Sequence, residues 1–152
     1  MQFSSPISKF LAATVLITSL LSLTSCGRGQ RNKLEEARIE AILIHCRAYA
    51  TDNDGKYPSK LSDLHPKYIN LVSNFYSPPN SAAEEKEQAY YYRPGLNVGD
   101  KIDEPLIVSP HVIKGQVNVG YLGGFIRTLG KEEAQKILSN PQWAQEAPQL
   151  SQ

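Results

Sequence analysis

Two cysteines are the residues most able to do covalent chemistry in this chain of 152 residues. Cys26 follows Leu23-Thr24-Ser25, which is a branched apolar residue and two small residues. A thiolate is a soft nucleophile, so an accessible cysteine can accept a diacylglyceryl group. Cys46 lies among apolar residues with helical spacing, where a buried structural thiol is the expected state. We therefore expect lipidation at Cys26 and no reaction at Cys46.

The segment before Cys26 has the layout of an export signal. Lys9 is its only charged side chain, and residues 10–23 (FLAATVLITSLLSL) form an apolar run. This run is shorter than the ~20 apolar residues that a membrane-spanning helix needs, and it fits a signal peptide. Residues 1–25 are predicted to be a lipoprotein signal peptide, cleaved before Cys26. The alternative is an ordinary signal peptide or an anchor helix that ends in a cysteine.

The remaining residues form no recognisable catalytic or metal-binding pattern. His45, His65 and His111 each lack a second ligand at metal-binding spacing. Residues 52–55 (DNDG) suggest a calcium loop, but the sixth-position glycine and twelfth-position glutamate of such a loop are missing. A helix end rich in Asx and glycine is the commoner explanation. We expect no enzyme activity and no catalytic, cofactor-binding or metal-binding residues.

The charge balance and the cysteine content restrict the kinds of partner that this chain can be expected to bind. The chain has 16 Lys and Arg against 15 Asp and Glu, and this balance does not favour nucleic acid. Once Cys26 is lipidated, Cys46 is the only thiol left, so no disulfide is predicted. The partner expected from these features is a membrane, through the lipid on Cys26. The outer membrane is weakly preferred over the inner one.

The anchor is followed by a tether and a long helix. Residues 26–32 form a lipidated tether that reaches only ~20 Å. Asn32 is the predicted N-cap, and Glu35 three residues later can complete a capping box. The helix is predicted from about Lys33 to Asp52, since Gly55 can terminate it.

Two apolar parts of this helix have different shapes. The bulky part is predicted to pack on a sheet, and it comprises Ile39, Ile42, Leu43, Cys46, Tyr49 and Ala50. The flatter part could accept another helix, a loop or another subunit, and it comprises Leu34, Ala37, Ala41, Ile44 and Ala48. This second set is the candidate interface.

The second half of the domain reads as strands and a short helix. Residues 89–93 (AYYYR) and 106–109 (LIVS) are rich in strand formers. Residues 117–129 predict a hairpin with a two-residue Gly123-Gly124 turn, in which Tyr121 faces Ile126. A helix over Lys131–Leu138 follows, and residues 139–152 are predicted to be a disordered tail.

The order of these elements resembles type IV pilin-like proteins, especially the major pseudopilin of type II secretion. The stretch 49–64 (YATDNDGKYPSKLSDL) is similar to the segment after their long helix, through Tyr49, Asp52, Asn53, Gly55, Tyr57, Pro58, Leu61 and Leu64. Residues 115–126 are similar to the C-terminal hairpin of pilin-like proteins abundant in Planctomycetes and Verrucomicrobia. The resemblance covers about residues 33–138. The apolar helix that assembles pilins into filaments is replaced here by the lipoprotein signal, so the resemblance implies a fold and not filament assembly.

The resemblance and the residues together predict an α+β domain at 33–138, with a long N-terminal helix on a small antiparallel sheet and a short C-terminal helix. The leading hypothesis is a non-enzymatic scaffold or binding component of a secretion or pilus-like system, docked through the candidate interface. The alternative is a periplasmic lipoprotein that binds a ligand or glycan on exposed Tyr90–Tyr92 and Phe125.

Overall fold

The computed structural model describes residues 31–78 and 87–148. The chain divides into two compact units, Met1–Lys33 and Leu34–Gln152. The predictions for the signal peptide, for Cys26 and for the tether up to residue 30 lie outside the described residues. The second unit is an α+β domain with two small antiparallel sheets. Within the described ranges, none of the helices combines the length and apolar content needed to cross a membrane.

The first helix, α1, covers residues 31–52 of the described chain. Its predicted end is confirmed: Gly55 has a φ of 81°, and its N–H donates to the Ala50 carbonyl at 2.8 Å. A positive φ suits glycine, because glycine has no Cβ to clash. The predicted start is wrong, because Arg31 and Asn32 are already helical. Asn32 is therefore not the N-cap, and the tether does not extend to residue 32.

The strands form a main sheet and a smaller sheet, and every pairing within them is antiparallel. The small sheet pairs β1 (Tyr76–Ser77) with β2 (Gln88–Ala89). The main sheet has the order β3 (Tyr91–Tyr92), β4 (Pro105–Val108), β5 (Gln116–Tyr121) and β6 (Ile126–Gly130). Two 3-10 helices, Leu61–Leu64 and Val72–Phe75, lie between α1 and β1.

α1 packs very closely against one face of the main sheet, at Gly120 of β5. A Cβ added to Gly120 in β5 would lie 2.7 Å from Cγ2 of Ile39 and 3.1 Å from Cδ1 of Leu43. The missing side chain of Gly120 thus lets the helix and the strand approach each other. Five residues of the bulky part are buried in the core as predicted, namely Ile39, Ile42, Leu43, Cys46 and Ala50, whereas Tyr49 is half-buried against it.

The other face of the main sheet is covered by α2 (Lys131–Leu138), which has the predicted bounds. Valines of β4 and β5 alternate toward this face, as the two-residue period of a strand requires. The buried cluster there comprises Val108, Val117, Val119, Tyr121 and Ala134. The domain therefore has three layers, with the sheet between two helices.

The β5–β6 hairpin differs from its predicted register by one residue. The N–H of Tyr121 donates to the Phe125 carbonyl at 2.9 Å, and the two rings stack 4.9 Å apart. Ile126 pairs with Gly120 instead of Tyr121. Leu122, which is only 5% exposed, belongs to the core beside α1. Burial of this leucine explains why the turn begins one residue earlier than the glycine pair suggested.

The prediction of a disordered tail is wrong for residues 139–148, which we name the C-terminal strap. Ala144 exchanges two backbone hydrogen bonds with Tyr92 of β3, at 2.8 and 2.9 Å. Trp143 packs against the α2 side of the core, and its indole N–H donates to the Ile137 carbonyl at 2.9 Å. The polar composition of this segment predicted disorder. The contacts of Trp143 and the pairing of Ala144 with β3 are enough to order it. Residues 149–152 lie outside the described residues.

Candidate functional site

The candidate interface on α1 faces away from the core, and we name it the outer strip. Successive helical residues are separated by 100°, so these positions fall opposite the buried ones. Leu34 is 48% exposed and Ile44 is 60% exposed. Ala37 and Ala48 are exposed, and Ala41 is half-buried. A helix whose inner face builds the core thus also presents an apolar outer face.

Charged side chains border the outer strip on both sides. Glu40 and Arg47 lie along one border, and both are exposed. Arg47 also reaches the hairpin turn, where its Nη2 donates to the Leu122 carbonyl at 3.3 Å. On the other border, Nη1 of Arg38 donates to the Tyr76 carbonyl at 2.6 Å. An apolar strip with polar borders is the usual layout of a helix that packs against another helix.

Cys46 is fully buried in the core, as its apolar neighbours predicted. Burial raises the pKa of its thiol far above the ordinary value, because the thiolate would lose its hydration. The thiol therefore stays protonated and fills space beside the sheet.

The three histidines have separate roles in the structure. The backbone N–H of His111 donates to Oγ of Ser109 at 3.1 Å, and Nδ1 of His65 lies 3.1 Å from the Ile69 carbonyl. His45 is half-buried on α1. Among the described residues, no group of three or more His, Cys, Asp and Glu side chains could hold a metal ion.

Asp52 is the first residue of the calcium-loop-like segment 52–55, and its carboxylate accepts hydrogen bonds from two neighbouring side chains. Nζ of Lys67 and the hydroxyl of Tyr68 each lie 2.8 Å from Oδ2 of Asp52. The hydrogen bond from Lys67, followed by that from Tyr68, lowers the pKa of Asp52. This carboxylate ties the end of α1 to the segment after the first 3-10 helix, which is a structural role.

A buried polar cluster around Glu35 was missed by the sequence analysis. Glu35 is 0% exposed, and its Oε1 accepts hydrogen bonds from Ser77 at 2.6 Å and from Ser109. Its Oε2 has no hydrogen-bond partner among the described residues. Glu35 lies between Ile39 and Ile42 around the helix axis, and this placement could have revealed its burial. The predicted capping box at Glu35 is therefore replaced by this buried cluster.

Glu35 connects three elements. It stands on α1, Ser77 is in β1, and Ser109 follows β4 directly. The carboxylate therefore holds the helix to both sheets. Because its bonded oxygen is already shared by two hydroxyls, the cluster serves to fix the packing.

The exposed tyrosine surface of the ligand-binding hypothesis is wrong. Tyr90 is 0% exposed, and Tyr92 is buried with its hydroxyl donating to the Pro58 carbonyl at 2.7 Å. Tyr91 and Phe125 are half-buried. The strand that carries these tyrosines crosses the core, so their rings pack inward instead of meeting solvent.

An open groove of about 530 Å³ runs between the small sheet and the C-terminal strap, and we name it the polar groove. The hydroxyl of Tyr76 donates to the Pro148 carbonyl at 2.9 Å, and Nε2 of Gln145 donates to the Ala89 carbonyl at 2.8 Å. These bonds join its two sides. The groove is lined by Ser62, Tyr76, Gln88, Ala89, Gln145, Glu146 and Ala147.

Two accessible features of the described residues are thus the apolar outer strip and the polar groove. Cys46 and Glu35, by contrast, are enclosed by the packing. Neither a family model, nor a curated protein, nor a solved structure matches this chain.

Proposed function

We propose that this chain is a lipid-anchored envelope protein whose pseudopilin-like domain docks onto a protein of a secretion or pilus-like assembly through the outer strip. In this proposal it acts as a scaffold or binding component and not as an enzyme. The observation that carries the proposal is the exposure of Leu34 and Ile44 on the helix face opposite the core. The anchor is proposed from the sequence around Cys26.

The pseudopilin-like part of the proposal is supported by how the similar segment packs. Leu61 and Leu64 are fully buried, and Tyr57 is buried beside them in the same core. The Pro58 carbonyl accepts the hydroxyl of Tyr92 from the main sheet. The segment after α1 therefore connects the helix to an antiparallel sheet, which supports the helix-on-sheet fold that the resemblance implies.

The docking part of the proposal is supported by the apolar surface that the outer strip exposes to water, because a partner could bury it. Burial of apolar surface contributes about 25 cal/mol per Å². Ala37, Ala41 and Ala48 are small, so a partner helix can approach close to the axis of α1. Leu34 and Ile44 can then insert beside that partner as anchors.

The test is affinity capture of the full chain from native membranes, with its co-purifying proteins identified. Ile44→Arg places a charge in the centre of the outer strip and should remove the specific partner. Leu71→Arg is the matched control, because Leu71 is also 60% exposed but lies outside α1. Equal recovery of the partner with both variants would contradict docking through the outer strip.

A second candidate function is supported by the polar groove, in which a binding lipoprotein could hold a short glycan. One aromatic ring, hydroxyls and amides surround a volume of about 530 Å³. Titration with the β-1,4-linked trimer of N-acetylglucosamine, followed by NMR, tests it. Gln88→Ala should weaken binding about tenfold through a lost hydrogen bond, while the exposed Gln116→Ala should not change it. An absence of binding to the parent chain would exclude this ligand class.

A further inference from the structure

We infer that the outer strip pairs with the outer strip of a second copy of this chain, with the two α1 helices antiparallel. The inference rests on the proposed docking function and names a partner for it. It draws on three properties of α1, namely the spacing of its exposed apolar residues, their sizes, and the charges at the border.

The residues of the outer strip, together with Thr51, follow a heptad spacing. Leu34, Ala41 and Ala48 repeat every seven residues, and Ala37, Ile44 and Thr51 form a second series between them. Alternating steps of three and four residues define the seam along which two helices pack in a coiled coil. The buried face of α1 belongs to the sheet, so this second seam is left for a separate helix.

The sizes of these residues fit an antiparallel pair. In that arrangement Leu34 faces Thr51 of the second copy, and Ile44 faces Ala41 of the second copy. Each large side chain thus meets a smaller one, while Ala37 faces Ala48 of the second copy, so the helices come closest at those alanine layers. A parallel pair would place Leu34 against Leu34 and Ile44 against Ile44, so the separation would vary more widely along the seam.

The border charges fit the same arrangement. Glu40 and Arg47 stand one residue before Ala41 and Ala48, so they flank the seam. In an antiparallel pair, these flanking positions of the two helices are neighbours. Glu40 then faces Arg47 of the second copy, and the two-fold symmetry forms this pair twice. In a parallel pair Arg47 would face Asp52, whose carboxylate already binds Lys67 at 2.8 Å. Arg47 itself donates from Nη2 to the Leu122 carbonyl, so its pairing with Glu40 uses its other N–H groups.

The expected interface is small and its affinity in dilute solution is correspondingly low, because stable complexes bury more than about 1,200 Å². A lipid anchor changes this, since confinement to one surface raises the effective concentration. A two-fold interface also closes on itself and gives a dimer, not a fibre.

Disulfide trapping in membranes tests the inference on the full chain. Leu34→Cys and Thr51→Cys chains, marked with different tags, are co-expressed and oxidised. An antiparallel pair links the Leu34→Cys chain to the Thr51→Cys chain, and neither chain links to its own kind. The parent chain, which retains Cys46 and Cys26, gives the background. Self-linked Leu34→Cys would indicate a parallel pair and would overturn the inference, as would an absence of any link.

Charge reversal provides the second arm. Glu40→Arg or Arg47→Glu, introduced in both chains, should each reduce the mixed disulfide about fivefold, and the double reversal should restore it. Protection of Cys46 from alkylation verifies that each variant is folded. If no link forms while Ile44→Arg still removes a different captured protein, docking stands and self-pairing is wrong. If the double reversal does not restore the link, the Glu40–Arg47 pairing is wrong.

Discussion

The close approach of α1 to β5 predicts that Gly120→Ala destabilises the domain. The new Cβ would lie 2.7 Å from Cγ2 of Ile39, a distance that requires one of them to move. Ile39 is fully buried, so the helix itself must shift. Overpacking of this kind costs ~1–3 kcal/mol, and the smaller entropy of the unfolded alanine chain offsets ~0.4–1 kcal/mol. The net loss in the free energy of unfolding should be ~1–2 kcal/mol.

The measurement is urea denaturation of residues 27–152, followed by circular dichroism. Gly99→Ala is the control, because its Cβ would meet nothing within 4 Å. The double variant Ile39→Ala/Gly120→Ala should lose less stability than the sum of the two single variants, since the smaller residue 39 leaves space for the Cβ. A Gly120→Ala midpoint equal to that of the parent, or strict additivity in the double variant, would refute the packing described here.

Four further predictions concern the anchor, the core and assembly. Cys26→Ser should leave an unprocessed, unlipidated precursor, and a variant that matures to the parent size and stays with membranes would contradict the lipoprotein assignment. Ile42→Ala should lower the free energy of unfolding by about 2–5 kcal/mol, and an unchanged melting midpoint would mean that Ile42 is not in the core. Cys46 should resist alkylation in the native state at pH 8. Because its pKa is raised by folding, its contribution to stability is full below the unfolded pKa of ~8.5 and is lost as pH rises further, and a flat stability profile from pH 7 to pH 10 for the parent relative to Cys46→Ala would disagree. Residues 27–152 should form no regular filaments by electron microscopy at high concentration, since residues 27–33 (GRGQRNK) supply no apolar run for an assembly helix.

The sequence predicted the parts of the fold that depend on local patterns. The end of α1 was predictable because Gly55 supplies the positive φ that terminates it. The bounds of α2 were predictable because Gly130 ends a strand and an amphipathic segment follows. The burial of Glu35 was not predicted, because a glutamate near the start of a helix also fits a capping box. Only the tertiary position of Ser77 and Ser109 decides between them.

The features that the sequence did not predict depend on contacts between distant residues. Tyr90 and Tyr92 look like an exposed aromatic surface, yet α1, Pro58 and the strap enclose the strand that carries them. The polar groove joins residues from both ends of the domain, so no local pattern marks it. The outer strip was found from helical spacing alone, because its position relative to the bulky face is fixed by the 100° step of the helix.

The C-terminal strap covers the edge of β3 only when the chain has been made as far as Ala144. Synthesis and the proposed export both proceed from the amino terminus, so Ala144 arrives after every strand of the main sheet. Until then the outer edge of β3 at Tyr92 has backbone groups with no strap to bind them. Unpaired edges of this kind are templates for pairing with other chains. Closure of the edge is therefore among the last steps that the order of synthesis permits, and it protects only molecules that have been completed through Ala144.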